Sequence, residues 1–252
     1  MIAKAVFDIE TGPQSLERLA GIIPPFNSDD VKVGNIKDPE KIAEKIKKAE
    51  AEHMTRFQRS AALSPITGEI LAIGIMREEK PGQPPTMERL VEREDILIRV
   101  FFQAYQESQK KMNTQWVGFY IRTFDLPFII RRAWKHGIGI PDGFLSRFLP
   151  PMFTDIFDVW RLMEGYQADR LSLDTLARYF AIGEKTGTGA MFHELLRHDK
   201  KAAAEYLRND LLLTWRVADA LGAFWTEAQY ASKINSPSAA APAIDPDAID
   251  FF

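Results

Sequence analysis

Val6-Phe7-Asp8-Ile9-Glu10-Thr11 is the stretch on which the reading of this chain turns. Side chains alternate faces along a strand, so Asp8 and Glu10 project the same way, with Cα atoms roughly 6–7 Å apart. Lys4 and Val6 precede them on that face, while Ala5, Phe7 and Ile9 line the other. The apolar and β-forming residues around them predict a buried strand over 2–9. Two carboxylates crowded on such a strand repel each other and lose hydration. A divalent cation is the simplest group to neutralise them.

Composition narrows the chemistry. The 252 residues are 46% hydrophobic and 27% charged, which suits one globular domain of generous size or one domain with extensions. Cysteine is absent, so disulfides, thiolate zinc sites and cysteine nucleophiles are excluded. Four scattered histidines argue against a His-rich metal centre and leave a hard cation on oxygen ligands. A net charge of −3 speaks against a non-specific nucleic-acid coat but not against a nuclease, whose site is itself acidic. The first residues lack a charged segment followed by an apolar one, and no apolar run approaches the ~20 residues of a membrane span. A cytoplasmic protein without membrane association is the expectation.

Residues 14–65 read as an insertion: a short helical turn, the Pro24-Pro25 break, then a Lys/Glu/Ala-rich helix from Pro39 to Ala62. A second strand is expected over 69–78, then a turn from Pro81 to Pro85. The helix over 93–112 should gather Ile96, Val100, Phe101, Ala104 and Tyr105 on one side. A third strand is expected over 115–121, a helix from Asp125 to a stop at Gly137, and a short strand near 154–157. A helix from Ser172 stopped by Gly183 and a long helix over 200–229 complete the globular part, which ends near residue 230. The order of strands and helices implies an α/β layer fold. Residues 231–252, beginning with a Ser/Pro/Ala-rich linker and ending in Ile-Asp-Phe-Phe, read as a flexible tail.

Four carboxylates and a tyrosine stand out: Asp8, Glu10, Asp125, Tyr206 and Asp210. Taken singly, each has a plain reading. Asp125 suits a helix N-cap ahead of Pro127. Asp8 and Glu10 suit a strand end facing water. Tyr206 and Asp210, four apart, suit a chance pair on one helix face. That face continues through Leu213, Val217, Ala220 and Phe224, however, and an unpaired aspartate heading an apolar stripe would cost several kcal/mol to bury. Taken together, the acids fall at element ends that one α/β sheet can bring together. Phosphodiester hydrolysis uses such a cluster: two cations roughly 3.5–4 Å apart need several carboxylates, at least one of them shared.

Phe7-Asp8-Ile9-Glu10-Thr11-Gly12, then Phe124-Asp125-Leu126-Pro127-Phe128, then Tyr206-Leu207-Arg208-Asn209-Asp210 resemble the three motifs of the DEDD exonuclease superfamily. Tyrosine four before the last aspartate resembles the tyrosine branch; the histidine branch would carry histidine where Glu205 stands. The match runs from about residue 1 to 225 and is most similar to stand-alone proteins related to the proofreading exonuclease domain of family B DNA polymerases. The resemblance implies a ribonuclease H-like fold, a mixed sheet of about five strands flanked by helices. It implies 3′→5′ exonuclease activity on single-stranded ends, DNA favoured and RNA the alternative, with two divalent cations, Mg2+ or Mn2+. By the same resemblance Asp8, Glu10 and Asp210 hold the first cation, Asp8 also touches the second, Asp125 supports the second, and Tyr206 positions the attacking water. Glu10 and the Thr11-Gly12 backbone would lie against the terminal nucleotide. One departure is present: the family's second motif often reads Gly-x-Asn, where this chain has Gly118-Phe119-Tyr120.

Other features carry weaker signals. Lysines over 32–48 could meet phosphates, but interleaved glutamates make a solvated, ion-paired helix the better reading. Arg131, Arg132 and Lys135 could flank the strand path. Glu184-Lys185-Thr186-Gly187-Thr188-Gly189 lacks the phosphate-loop pattern; it reads as a loop near the site, with Lys185 able to reach a substrate phosphate. Phe119, Phe124 and Phe128 read as core, with Phe124 the candidate to stack on a terminal base. His193 and His198 read as helix-surface residues. The Ala248–Phe252 end resembles short peptides that dock sliding clamps, and a non-catalytic module recruiting partners through this tail is the alternative from another class.

Overall fold

The structure is a computed structural model that describes residues 2–111, 113–145, 149–150, 152–162, 171–187, 189 and 192–235. The signature strand β1 (Ala3–Pro13) runs through the middle of a five-stranded mixed sheet. It pairs antiparallel with β2 (Gly68–Arg77) on one side and parallel with β4 (Thr114–Gly118) on the other. β3 (Thr86–Leu90) extends the sheet antiparallel beyond β2, and β5 (Phe153–Asp155) extends it parallel beyond β4. This is the α/β, ribonuclease H-like arrangement that the motifs imply.

The period-2 alternation of β1 separates two cores. Ala5, Phe7 and Ile9 join α3 (Glu94–Lys111) and α4 (Asp125–Lys135) on one face. Val6 joins α6 (Leu173–Tyr179), α7 (Phe192–His198) and α8 (Lys200–Ala220) on the other. Lys4 lies on that second face too, its ammonium 4.8 Å from the Phe224 ring centroid. Asp8 and Glu10 therefore face α8. Beyond β5 lies α5 (Ile156–Trp160), and α1 (Leu16–Leu19), a 3-10 turn (Ser28–Asp30) and α2 (Pro39–Ala61) fill the expected insertion. Only Ala49 and Ala61 of α2 are buried, in keeping with a solvated helix.

Several boundaries differ from expectation, each for a local reason. β1 runs on to Pro13 because β2 supplies ladder partners that far. Edge strand β3, which has no counterpart among the expected elements, forms because β2 offers a partner, which sequence alone does not display. The third strand stops at Gly118 rather than continuing to 121, since Tyr120 takes a left-handed φ of 61°. In α3 the buried side turns on Leu97, Ile98, Phe101 and Phe102, and Ile96 is exposed. The helix after Ser172 ends at Tyr179, and the left-handed residue that closes it is Ala181 (φ 53°), not Gly183. The long C-terminal helix stops at Ala220: Gly222 (φ 62°) closes it with Ala223 N–H donating to Ala218 O and Gly222 N–H to Asp219 O. Ala220 is consequently exposed, and Phe224 is buried from beyond the helix end. A separate α9 (Glu227–Asn235) follows, so the first residues of the expected tail are helical. Residues 236–252, with the Ala248–Phe252 end, lie outside the described residues.

Candidate active site

β1 outruns β4. The two strands pair only from Ala3–Thr114 to Val6–Val117, after which β4 turns away. The gap exposes the flank of β1 just where Asp8 and Glu10 project. Asp125, the first residue of α4, fills part of it: its carboxylate accepts the Ile9 backbone N–H at 3.2 Å. The N-cap reading of Asp125 is thereby set aside, since its carboxylate reaches across to the strand.

α8 brings the third motif. Its buried side chains recur every three to four residues, and Tyr206 and Asp210 lie on the buried stripe with Leu207 and Leu211. The helix approaches the sheet closely because Gly74, the β2 residue opposite Asp8, has no side chain; a Cβ there would lie 2.7 Å from Leu211 Cδ1. Among the described residues, one group of acids converges well enough to hold a cation: Asp8, Glu10 and Asp210 each offer an oxygen, all within 4.8 Å of one another. Asp125 stands beside this triad rather than in it, close enough for its charge to be felt by Glu10. A shift in register between Glu10 and Thr11 follows at once, where β2 carries one extra residue.

The electrostatics are those of a cluster short of positive charge. Burial, then the Asp210 charge, pushes the Asp8 carboxyl up to about 7, although Lys185 and the Ile9 N–H pull the other way. Burial and then the charges of Asp8 and Asp210 hold Glu10 well above the usual carboxylate range. Burial and the Asp8 charge do the same to Asp125. Asp210 is raised by burial against the opposing pull of Lys185, whose ammonium lies 2.6 Å from Asp210 Oδ2. For Lys185 burial opposes the charged form, yet Asp210 wins and its pKa rises. Tyr206 is shifted upward by burial and by the charges of Glu10 and Asp210, so it stays a neutral hydroxyl. That hydroxyl lies near enough to favour the Asp210 carboxylate. Even so, Tyr206 Oη and Asp210 Oδ1 are both buried without a partner of proper hydrogen-bond geometry. Buried polar atoms are normally satisfied. Hard oxygen donors, a surplus of negative charge and orphaned atoms together fit a divalent cation.

These groups open into a cleft of about 900 Å³. Thr11, Phe124, Lys185 and Tyr206 line it, as do Ala62 and Leu63, so the chain following α2 reaches its mouth. Gly12 is placed differently: it packs against Leu71 and His193, where a Cβ would lie 2.5 Å from Leu71 Cδ1.

No family model and no curated protein matches the chain. Among solved structures it is similar to the family B DNA polymerase from the hyperthermophilic archaeon Pyrobaculum calidifontis, at a TM-score of 0.52 and 16% identity. The likeness is one of fold. It covers 88% of this chain and 24% of the polymerase, so the chain spans about a quarter of that protein's length. No described helix is long and apolar enough to cross a membrane.

Some expected roles change. Arg132 does not flank a strand path: it is 2% exposed and ion-paired with Glu94 on the far side of the sheet, while Arg131 and Lys135 are exposed. His193 is half-buried rather than fully on the surface: its Nδ1 is buried and its Cβ packs against Gly12 of β1. Lys185 reaches the acids themselves, on a loop tied down by its own N–H to Asp174 (2.7 Å) and by Asn209 to the Glu184 carbonyl (3.1 Å). Asp155 escaped the sequence reading. It accepts N–H bonds from Tyr120, Arg122 and Phe157 at 2.9–3.0 Å, and burial pushes its carboxyl up to about 6. An aspartate just ahead of the apolar run Ile156-Phe157 was the available sign, since that is an N-cap pattern.

Proposed function

We propose that this chain is a metal-dependent 3′→5′ exonuclease that hydrolyses phosphodiester bonds at single-stranded DNA ends and releases nucleoside monophosphates. The convergence of Asp8, Glu10 and Asp210 from β1 and α8 carries this reading. The motif order and the fold shared with a family B DNA polymerase support it. Two Mg2+ or Mn2+ ions, when bound, would supply an activated water and charge stabilisation at the leaving oxygen. Asp8, Glu10 and Asp210 would hold one, and Asp8 would also serve the other with Asp125 in support.

The chain's own residues account for the remaining needs. Tyr206, kept protonated, can donate or accept at the attacking water and orient it without removing its proton. Lys185, which lines the cleft, offsets part of the acidic charge through Asp210 and would meet a phosphate oxygen of the substrate. Thr11 and Phe124 border the space open to the terminal nucleotide. A time course on 5′-labelled single-stranded DNA and matched RNA in Mg2+ or Mn2+ tests the proposal. A ladder shortening from the 3′ end, faster on DNA and stopped by EDTA, is expected; DNA left intact under these conditions overturns it. The RNA arm reads how the cleft treats a 2′-hydroxyl.

A further inference from the structure

The cleft continues past the carboxylates into an aromatic wall that the catalytic reading does not use. Phe119, Tyr120, Phe157 and Arg161 line it. Tyr120 and Phe157 are stacked, with ring centroids 4.2 Å apart and planes 25° apart, and Phe119 meets Tyr120 edge-on at 4.7 Å. The Arg161 guanidinium lies over Phe157 at 5.2 Å and is held by Asp158 at 2.8 Å. Phe157 is 7% exposed, so Tyr120 is the member of the stack with surface to offer.

Tyr120 achieves this in an unfavourable backbone state. Its φ of 61° is rare for a large residue and strained. Asp155 holds it there from the neighbouring strand, its carboxylate accepting Tyr120 N–H at 3.0 Å and Arg122 N–H at 2.9 Å. The same carboxylate accepts Phe157 N–H at 2.9 Å, so one buried group sets both rings of the stack. Tyr120 is thus a strained, half-buried aromatic with a covered hydroxyl, fixed by a buried charge so that its ring lines the cleft.

We propose that the Tyr120–Phe157 stack is a nucleobase platform. It receives a base of the single-stranded substrate face to face and holds any base alike, because every base has a π-face and nothing in a ring stack selects an edge. The proposal rests on the nuclease reading and adds the base subsite.

Binding of a short 5′-fluorescein oligothymidylate, measured by anisotropy in Ca2+, tests it beside the same oligomer carrying abasic 3′-terminal residues. The wild type should bind the base-bearing oligomer about tenfold tighter than the abasic one. Tyr120→Asn tolerates the left-handed backbone and removes the ring, so it should lose most of that ratio while binding the abasic oligomer as before. Tyr120→Phe should keep the ratio. Tyr120→Gly repeats the test should the asparagine variant not fold. A base-to-abasic ratio that survives either ring deletion, or that is absent in the wild type, overturns the platform. The nuclease reading fails separately, through wild-type protein that leaves 5′-labelled DNA intact in Mg2+ and Mn2+.

Discussion

Two buried carboxylate centres lie on opposite faces of the sheet, and they are built on opposite plans. On the α3/α4 face, Glu94 is fully served. It accepts Ile70 N–H at 2.8 Å, Arg132 Nε at 2.8 Å and Nη2 at 2.6 Å, and contacts His136 Nε2 at 2.7 Å. Arg132 spends a further N–H on the Pro65 carbonyl at 3.1 Å. Burial alone would raise Glu94, but the Arg132 and His136 hydrogen bonds overcome it and its pKa falls. On the α8 face, three converging carboxylates share one ammonium, all three are pushed upward, and two buried oxygens lack partners. The first centre is finished by the protein and holds β2, α3 and α4 together. The second carries a surplus of negative charge and two unpartnered oxygens, an arrangement able to hold a cation.

The largest effect should come from breaking the open centre. Asp210→Asn, or Asp8→Ala, should lower nuclease activity by about 10³-fold or more, the scale of a lost metal site. Circular dichroism and melting should show the fold kept. Activity near wild type in Mg2+ would remove the contrast between the two centres.

Breaking the closed centre should do the reverse. Arg132→Met leaves buried Glu94 with only the Ile70 N–H and His136 as partners, at a cost of about 3–5 kcal/mol of stability by denaturant melts. A loss below about 1 kcal/mol would show that the network is incidental.

A smaller effect separates chemistry from folding. Tyr206→Phe deletes a hydroxyl that has no partner of good geometry, so stability should hold or rise. Turnover should nevertheless fall about 10–100-fold if the hydroxyl orients the water. Equal loss of stability and turnover would assign Tyr206 to packing.

The smallest effect lies in the pH dependence. Asp8 is raised from 3.8 to about 7, so the metal-free fold binds its proton more tightly than the unfolded chain does. Its contribution is complete below about pH 4 and is lost as pH rises to about 7. Glu94, lowered, has the opposite slope: its contribution is present above its ordinary value of 4.5 and fades as pH falls below it. Metal-free Asp8→Asn should therefore gain on the wild type between pH 4 and 7, by about 5 °C in Tm, and level off above. A constant difference across that range would refute the burial of charge at this position.

Legibility followed the range of the interactions. The acids of β1 could be placed on one face because strand alternation is local, and the stripe of α8 because helical spacing is local. The close approach at Gly74 was not legible, since only the opposing Leu207 and Leu211 make a bare Cα useful there. The role of Asp155 depended on Tyr120, which lies 35 positions away, and that of Arg132 on Glu94, 38 away. The break at Gly222 had a local sign, the glycine itself, which the apolar stripe running on to Phe224 obscured.

By itself, the sequence determined which faces are apolar, where charge must be buried, and that the buried charges are of a kind that binds hard cations. It could do so because periodicity and side-chain chemistry belong to neighbouring residues. Only the tertiary structure decided which carboxylates meet, which one is claimed by a backbone N–H, and which is answered by a lysine or an arginine. Those outcomes depend on how closely β1, α4 and α8 pack, and such distances are set by side chains far apart in the chain.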